Sequence, residues 1–364
     1  MKPFDLTRFG KDYEKKYNII SGFSDPKTWI DTGAYVMNKI ISGSFFRGVP
    51  LDGKVTVFAG ESGSGKSYIC SGNMVKWCRE NDVLVCLLDT EGAIDRSWIK
   101  ALNVDPDDTA GIVRLPVASP DDVAGCINMF MTQYNETYKG ISPDDRQKVL
   151  FVLDSVGMLM TKAEQEQFAA ADMKGVMGQK AKQLKALVGN CLRLFSGNPV
   201  GMVVTNHTYV SSDMFKPGDI VSGGNGFIFA SSIVVILSKA KLKTDDNGDK
   251  ITEVRGIRSK VQVMKSRFSK PFESVEVQIP YDTGMSPFSG LFEYFEKAGK
   301  LVKSGNRYEY ADANGEIHKL YRKEWMKDHA RLMMIMQEWE AQGDIVVGGF
   351  GDDLEVLADE VGDE

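Results

Sequence analysis

Short, almost unbroken apolar runs punctuate the first two-thirds of this chain: Val55–Ala59, Val83–Leu88, Leu150–Leu153, Val200–Thr205 and Ile233–Leu237. Between them lie stretches of helical pattern, notably Lys66–Glu80 and a long one within Ala169–Phe195. Continuous apolar strands alternating with helices predict an α/β fold with a mainly parallel sheet covered on both faces. Right-handed crossovers then bring the carboxyl ends of the strands to one edge of that sheet. Ser274–Ile279 alternates polar and apolar, as a half-exposed strand does. Beyond the turn at 281–287 the pattern predicts a helix over Phe288–Ala298, a pair of short strands over Leu301–Lys319 and a helix over Tyr321–Gln342. The first thirty residues mix aromatics (Phe4, Phe9, Tyr13, Tyr17) with a basic cluster over Lys11 to Lys16, and read as a short helix and an arm. The expected division is an arm over 1–30, a core over 31–285, a small α+β domain over 286–345 and an acidic tail over 346–364.

Composition narrows the class. The 364 residues are 43% hydrophobic, enough for a buried core. No apolar run approaches the roughly 20 residues needed to span a bilayer. The opening Met1-Lys-Pro-Phe-Asp has no apolar signal segment, so neither secretion nor membrane insertion is expected. Five scattered cysteines without close pairs point to a reduced, cytoplasmic setting, not to a disulfide framework or a zinc site.

The net charge of −6 looks unfavourable for binding nucleic acid. Seven of the 50 acids, however, lie in the last fourteen residues, which hold no base; the rest of the chain carries 44 basic against 43 acidic residues. Lys239–Lys270 alone holds ten bases and four acids. An acidic end is commonly a solvated one. It can also compete with a ligand for a basic surface.

Gly60-Glu61-Ser62-Gly63-Ser64-Gly65-Lys66-Ser67 fits the pattern G-x-x-x-x-G-K-[ST] between an apolar strand and a helix, the context that pattern requires. Glycines let successive N–H groups converge on a polyphosphate, and the helix N-terminus adds partial positive charge. Lys66 is placed to reach the β- and γ-phosphates, and the Ser67 hydroxyl to bind Mg²⁺. The structural alternative is a tight glycine turn with an ion-paired lysine. Leu150–Asp154 is an apolar strand ending in an acid, and a parallel sheet puts Asp154 on the same edge, where it can hold the magnesium shell. Leu87–Glu91 ends another strand; Glu91 is either a carboxylate that polarises an attacking water or an N-cap or surface acid.

With these strand ends in place the chain resembles the RecA family of recombinases, and most closely its T-even-type phage branch. The likeness runs from about Trp29 to Lys300. It rests on the glycine loop, Asp89-Thr-Glu-Gly-Ala-Ile-Asp95, Leu150–Leu159, Thr205-Asn206-His207-Thr208-Tyr209, Ser222-Gly-Gly-Asn-Gly226, Lys265-Ser-Arg267 and Gly284-Met-Ser-Pro-Phe-Ser-Gly290. The resemblance implies a RecA-like P-loop NTPase core that uses ATP and Mg²⁺, with Glu91 acting on water. Asp95 and Trp98 would contact adenine. His207 would sense the γ-phosphate, supported by Asn206. Lys265 and Arg267 would reach a neighbouring subunit's ATP. Two segments would face DNA: Lys162–Lys174, including Lys174, and Thr208–Asn225, including Tyr209, Met214, Phe215, Lys216, Gly223, Gly224 and Asn225. The implied partners are single-stranded and duplex DNA, further copies in a helical filament, a single-strand-binding protein and a loading mediator. The implied place is the cytoplasm, of a host if the chain is phage-encoded.

This chain departs from the family at Glu61, where proline often follows the first loop glycine, and after Lys300, where the likeness is loose. A DNA-dependent ATPase that forms filaments and exchanges strands is the first reading. A hexameric helicase built on the same core is the second, although only about fifty residues precede the first core strand at Val55, where such a motor is expected to carry a larger partner-binding domain. A small-molecule phosphotransferase would need an arginine-rich lid, which is not evident.

Overall fold

The computed structural model describes residues 4–17, 25–92, 94–170, 178–210, 219–244 and 250–343. A helix, α1 (Leu6–Tyr17), precedes a two-residue ladder, β1 (Trp29–Ile30) with β2 (Val49–Pro50), that brackets α2 (Tyr35–Ser42). The core follows as β3 (Val55–Gly60), a π-helical turn over Tyr68–Asn73 running into α3 (Met74–Glu80), β4 (Val83–Asp89), α4 (Arg96–Ala101), β5 (Ile112–Pro116), α5 (Pro120–Thr137) and β6 (Lys148–Asp154). Then come α6 (Lys162–Ala169), α7 (Gln179–Phe195), β7 (Val200–Val210), β8 (Asp219–Val221), α8 (Asn225–Ala230), β9 (Ile233–Leu242), β10 (Gly256–Ser266) and β11 (Ser274–Pro280). The chain closes with α9 (Leu291–Lys297), β12 (Val302–Ser304), β13 (Arg307–Ala311), β14 (Ile317–Leu320), α10 (Arg322–Lys327) and α11 (His329–Ala341).

Nine of the strands form one sheet in the order β11-β10-β9-β3-β7-β6-β4-β5, with β8 hanging from β7, and β12-β13-β14 form a separate small one. From β9 to β5 every neighbouring pair is parallel, whereas β10 and β11 add an antiparallel edge. The expected α/β class with a mainly parallel sheet is what folds. Its two faces are covered by separate apolar clusters. One joins α2, α3 and alternate strand residues to Phe292, Phe295, Trp325 and Trp339 of the C-terminal segment. The other seats α5, α7 and α8 on Val55, Val57, Phe151 and Val204. Alternation along β3 shows the logic: Val55 and Val57 face one cluster while Phe58 faces the other, so apolar residues are needed on both faces of the strand.

Three local expectations differ from what forms. Leu301–Lys319 holds three strands, not two, because Ala311–Ile317 closes a further hairpin. The helix expected over Tyr321–Gln342 is two helices, since Asp328 leaves helical geometry and accepts the Arg331 N–H as an N-cap. The segment from Lys162, which the resemblance assigns to one of two DNA-binding loops, begins as helix α6. There the Thr161 hydroxyl caps the Glu164 N–H, and the Glu164 carboxylate returns the bond to the Thr161 N–H. Lys174, Met214, Phe215, Lys216 and the acidic tail lie outside the described residues. Among the described residues no helix is long and apolar enough to cross a membrane.

Candidate active-site cleft at the carboxyl edge of the sheet

Parallel pairing decides which residues meet. Gly60 at the end of β3 lies in register with His207 of β7 and Leu237 of β9, and Asp89 of β4 with Asp154 of β6. A cleft of about 360 Å³ opens above these ends, lined by Gly65, Lys66, Ser67, Asp89, Glu91 and Asp154 on its polar side. Ile94, Trp98, Ile257, Ile279, Tyr68 and Tyr281 supply its apolar side.

The glycine loop is tightly confined. A Cβ on Gly60 would stand 2.2 Å from the Leu237 carbonyl oxygen, so β9 admits only hydrogen there. Gly65 has φ +100°, in the left-handed region, and a Cβ there would meet Ile279 Cδ1 at 2.9 Å. Gly60→Ala is therefore expected to lower stability by about 1–3 kcal/mol through overpacking against backbone. The expected readout is a lower urea midpoint at unchanged slope.

Lys66 is buried, and its Nζ donates to the Gly60 and Glu61 carbonyl oxygens at 2.9 and 2.8 Å. Burial pulls its pKa below the usual lysine value, opposed chiefly by the nearby Asp154 charge. A desolvated ammonium above a glycine loop has few partners of its own sign-complement, and an entering anion would add one. The Ser64 Oγ in the same loop is buried without a hydrogen-bond partner among the described residues, and Ser67 is exposed to the cleft.

Across the cleft the Asp154 carboxylate is buried and accepts the Ser71 hydroxyl at 2.9 Å and the Thr205 hydroxyl at 2.5 Å. The Asp154–Ser155 peptide is cis. Asp154 and the Ser67 hydroxyl offer hard oxygen ligands in one cleft, a donor set that suits Mg²⁺. Asp89 turns to Arg114, whose Nε donates at 2.8 Å, and its other oxygen accepts the Glu91 and Gly92 N–H groups at 3.1 and 2.8 Å. That turn fixes the backbone from which Glu91 projects. Glu91 Oε1 accepts the Ser155 hydroxyl at 2.9 Å, and Ser155 Oγ in turn lies 3.4 Å from His207 Nε2. His207 Nε2 stands 3.7 Å from the same Glu91 oxygen. Glu91, Ser155 and His207 thus gather from three strand ends beside the loop. Sequence reasoning missed Ser155; its position directly after Asp154 was the available signal.

Other site candidates sit elsewhere. Asp95 does not line the cleft: its carboxylate caps α4, accepting the Trp98 N–H at 2.8 Å and the Ser97 hydroxyl at 2.7 Å. These bonds, the Ser97 hydroxyl first, hold its pKa below the usual carboxylate value. Lys265 pairs in register with Val234 at the start of β9, at the sheet edge opposite the cleft. Its Nζ donates to the Ile228, Phe229 and Ser231 carbonyls at the end of α8, and burial, then Arg267, brings its pKa to about 8. Lys265 and Arg267 are therefore absent from their own chain's cleft. Tyr209 is exposed on β7, opposite Ile220 of β8. This ribbon is rooted at the cleft, since the Ser222 N–H donates to the His207 carbonyl and Asn206 Nδ2 to the Ser222 carbonyl. Gly223 and Gly224, both with positive φ, lead into Asn225 and α8.

Comparison with known proteins bears on this arrangement directly. A model of the RecA N-terminal domain matches residues 27–286. The chain belongs to the RecA family. It is similar to the recombination and repair protein of Enterobacteria phage T4, 28% identical over 288 residues, or 79% of this chain and 68% of that one. It is similar also to the RecA protein of Paracoccus denitrificans, 26% identical over 297 residues covering 80% and 75% of the two chains. With the RecA protein of Clostridioides difficile it shares 28% over 289 residues, 78% and 74%. The RecA match spans β1 through β11 and includes every residue of the cleft.

Proposed function

We propose that this RecA-family chain is a DNA-dependent ATPase that assembles on single-stranded DNA and exchanges strands between homologous molecules, in the manner of the phage recombination proteins it resembles. The observation that carries the reading is one cleft in which a glycine loop and its buried lysine face two carboxylates of different surroundings. Asp154, held by two hydroxyls, is suited to a metal shell. Glu91, half-exposed and in contact with Ser155 and His207, is suited to water.

In this reading the N–H groups of Glu61 to Ser67 and the Lys66 ammonium bind the triphosphate, and Ser67 and Asp154 hold Mg²⁺. When bound, Mg²⁺ supplies charge neutralisation at the phosphate oxygens. Trp98, Tyr68, Ile257, Ile279 and Tyr281 exclude water on the base side. Glu91 Oε1 accepts a proton from the attacking water, and Ser155 holds that oxygen in place. His207, at the root of the β7–β8 ribbon, reports the terminal phosphate to the segment that carries Tyr209. Lys265 and Arg267, at the far edge of the sheet, serve a neighbouring copy's cleft. ATP occupancy and the grip on DNA are then one equilibrium, shifted by hydrolysis.

The test is the rate of ATP hydrolysis with and without single-stranded DNA, followed by electron microscopy of the same mixture. Stimulated hydrolysis and helical filaments are expected. A rate indifferent to DNA, with isolated particles on the grid, would overturn the reading; closed rings that unwind duplex processively would replace it with a motor.

A further inference from the structure

The outer side of the glycine loop carries a contact that binding chemistry alone does not require. Leu237 of β9 lies beside Gly60, and two residues on, Lys239, still paired with Ser259 of β10, extends its side chain to the loop. Its Nζ donates to the Ser62 carbonyl oxygen and stands 3.9 Å from Glu61 Oε2. The Glu61 side chain closes the circuit, because its Oε1 accepts the Lys239 backbone N–H at 3.2 Å. Two side chains therefore tie the crest of the loop to β9 in both directions.

Three successive carbonyls of the loop are thus each held by a lysine ammonium: Gly60 and Glu61 by Lys66, Ser62 by Lys239. In a planar trans peptide the carbonyl of one residue and the N–H of the next point in opposite directions. Fixing the Ser62 carbonyl toward Lys239 aims the Gly63 N–H away from it. A side chain at 63 would crowd this contact, since a Cβ there would stand 3.3 Å from Lys239 Nζ. Electrostatics point the same way. Glu61 sets a carboxylate on a loop whose chemistry is to attract an anion, and Lys239 is the cation that faces it.

We propose that Lys239, paired with Glu61, is a positioning residue of the glycine loop: it fixes the Ser62–Gly63 peptide and cancels the Glu61 charge, so that the loop is preformed for the triphosphate of a nucleotide. The proposal rests on the reading of the cleft as an ATP site and adds to it a residue from outside the loop.

Analogue affinity of the full chain is measured without DNA, so that the other bases of β9 and β10 do not enter, and hydrolysis is measured at saturating single-stranded DNA. Lys239→Ala is expected to raise KM for ATP and the Kd of a non-hydrolysable analogue about tenfold, as loss of one charge-assisted hydrogen bond implies, with a smaller effect on turnover at saturation. Lys239→Arg should recover most of the affinity. Adding Glu61→Ala to Lys239→Ala should restore part of it, because the uncompensated carboxylate is then gone. A loop that is merely propped up would not respond in this way to losing a second tie. Unchanged affinity in folded Lys239→Ala, or a double variant weaker than either single one, overturns the proposal. A wild-type chain that binds no nucleotide overturns the reading beneath it.

Discussion

Lys66→Ala is expected to lower ATP turnover by at least about 10²–10³-fold, the scale on which a single preorganised donor to a developing charge acts, while leaving the fold intact. The second half of that expectation separates a functional lysine from a structural one. Lys66 is buried, and its pKa is depressed by that burial, so the fold holds this ammonium under a desolvation penalty. Its two carbonyl bonds offset part of the penalty. Alanine removes the penalty and the bonds together, so the two terms offset each other. Thermal stability should therefore stay level or rise as activity disappears. A lysine present to brace the loop would lose stability and activity in step. Lys66→Arg should fail as well, since Lys66 is only 6% exposed and the bulkier planar guanidinium cannot take its packed position against the loop carbonyls. Wild-type turnover in Lys66→Ala would remove the loop from the chemistry altogether.

The parts of the site that were legible in sequence share one property: each lies at the end of a strand buried on both faces. β3, β4, β6 and β7 carry long apolar runs because each touches both clusters, and a parallel sheet converts such runs into aligned ends. Gly60, Glu91 and Asp154 could be placed together on that ground, whereas His207 came from the family resemblance. The sheet order is a different matter: β4 lies beyond β6, not between β3 and β6, and nothing in the runs themselves fixes it.

The apolar wall of the cleft was not legible. Ile257 and Ile279 come from β10 and β11, where polar and charged residues alternate with apolar ones and the strands add antiparallel to the edge of the sheet. Their approach to the loop depends on a long-range register that no local pattern carries. β5 escaped for a related reason, being a largely exposed edge strand, yet it brings Arg114 to Asp89. Tyr68 and Tyr281 read as ordinary aromatics until the fold sets them over the loop. Tyr68 also accepts the Met285 N–H at 3.0 Å, joining the cleft to the turn that precedes α9.

Replacing Glu91 by glutamine should separate binding from hydrolysis. The amide has nearly the same shape and can still accept the Ser155 hydroxyl at the 2.9 Å position, so the three-residue contact with His207 loses little geometry. What it loses is the capacity to take a proton. General-base removal on this scale lowers turnover by about 10²–10⁴-fold. ATP and single-stranded DNA binding should persist, and because release follows hydrolysis in the proposed cycle, nucleotide-bound assemblies on DNA should outlive those of the wild type. Their lifetime after dilution, followed by light scattering alongside the hydrolysis rate, is the direct measurement. Ser155→Ala makes the informative contrast: it leaves the base but frees its oxygen, so turnover should fall less, and Glu91→Gln should add little to a chain already lacking the hydroxyl only if the two act as one unit. Failure of Glu91→Gln to bind ATP would make Glu91 a support for the Asp89–Gly92 turn, and the proton acceptor would then have to be sought at His207.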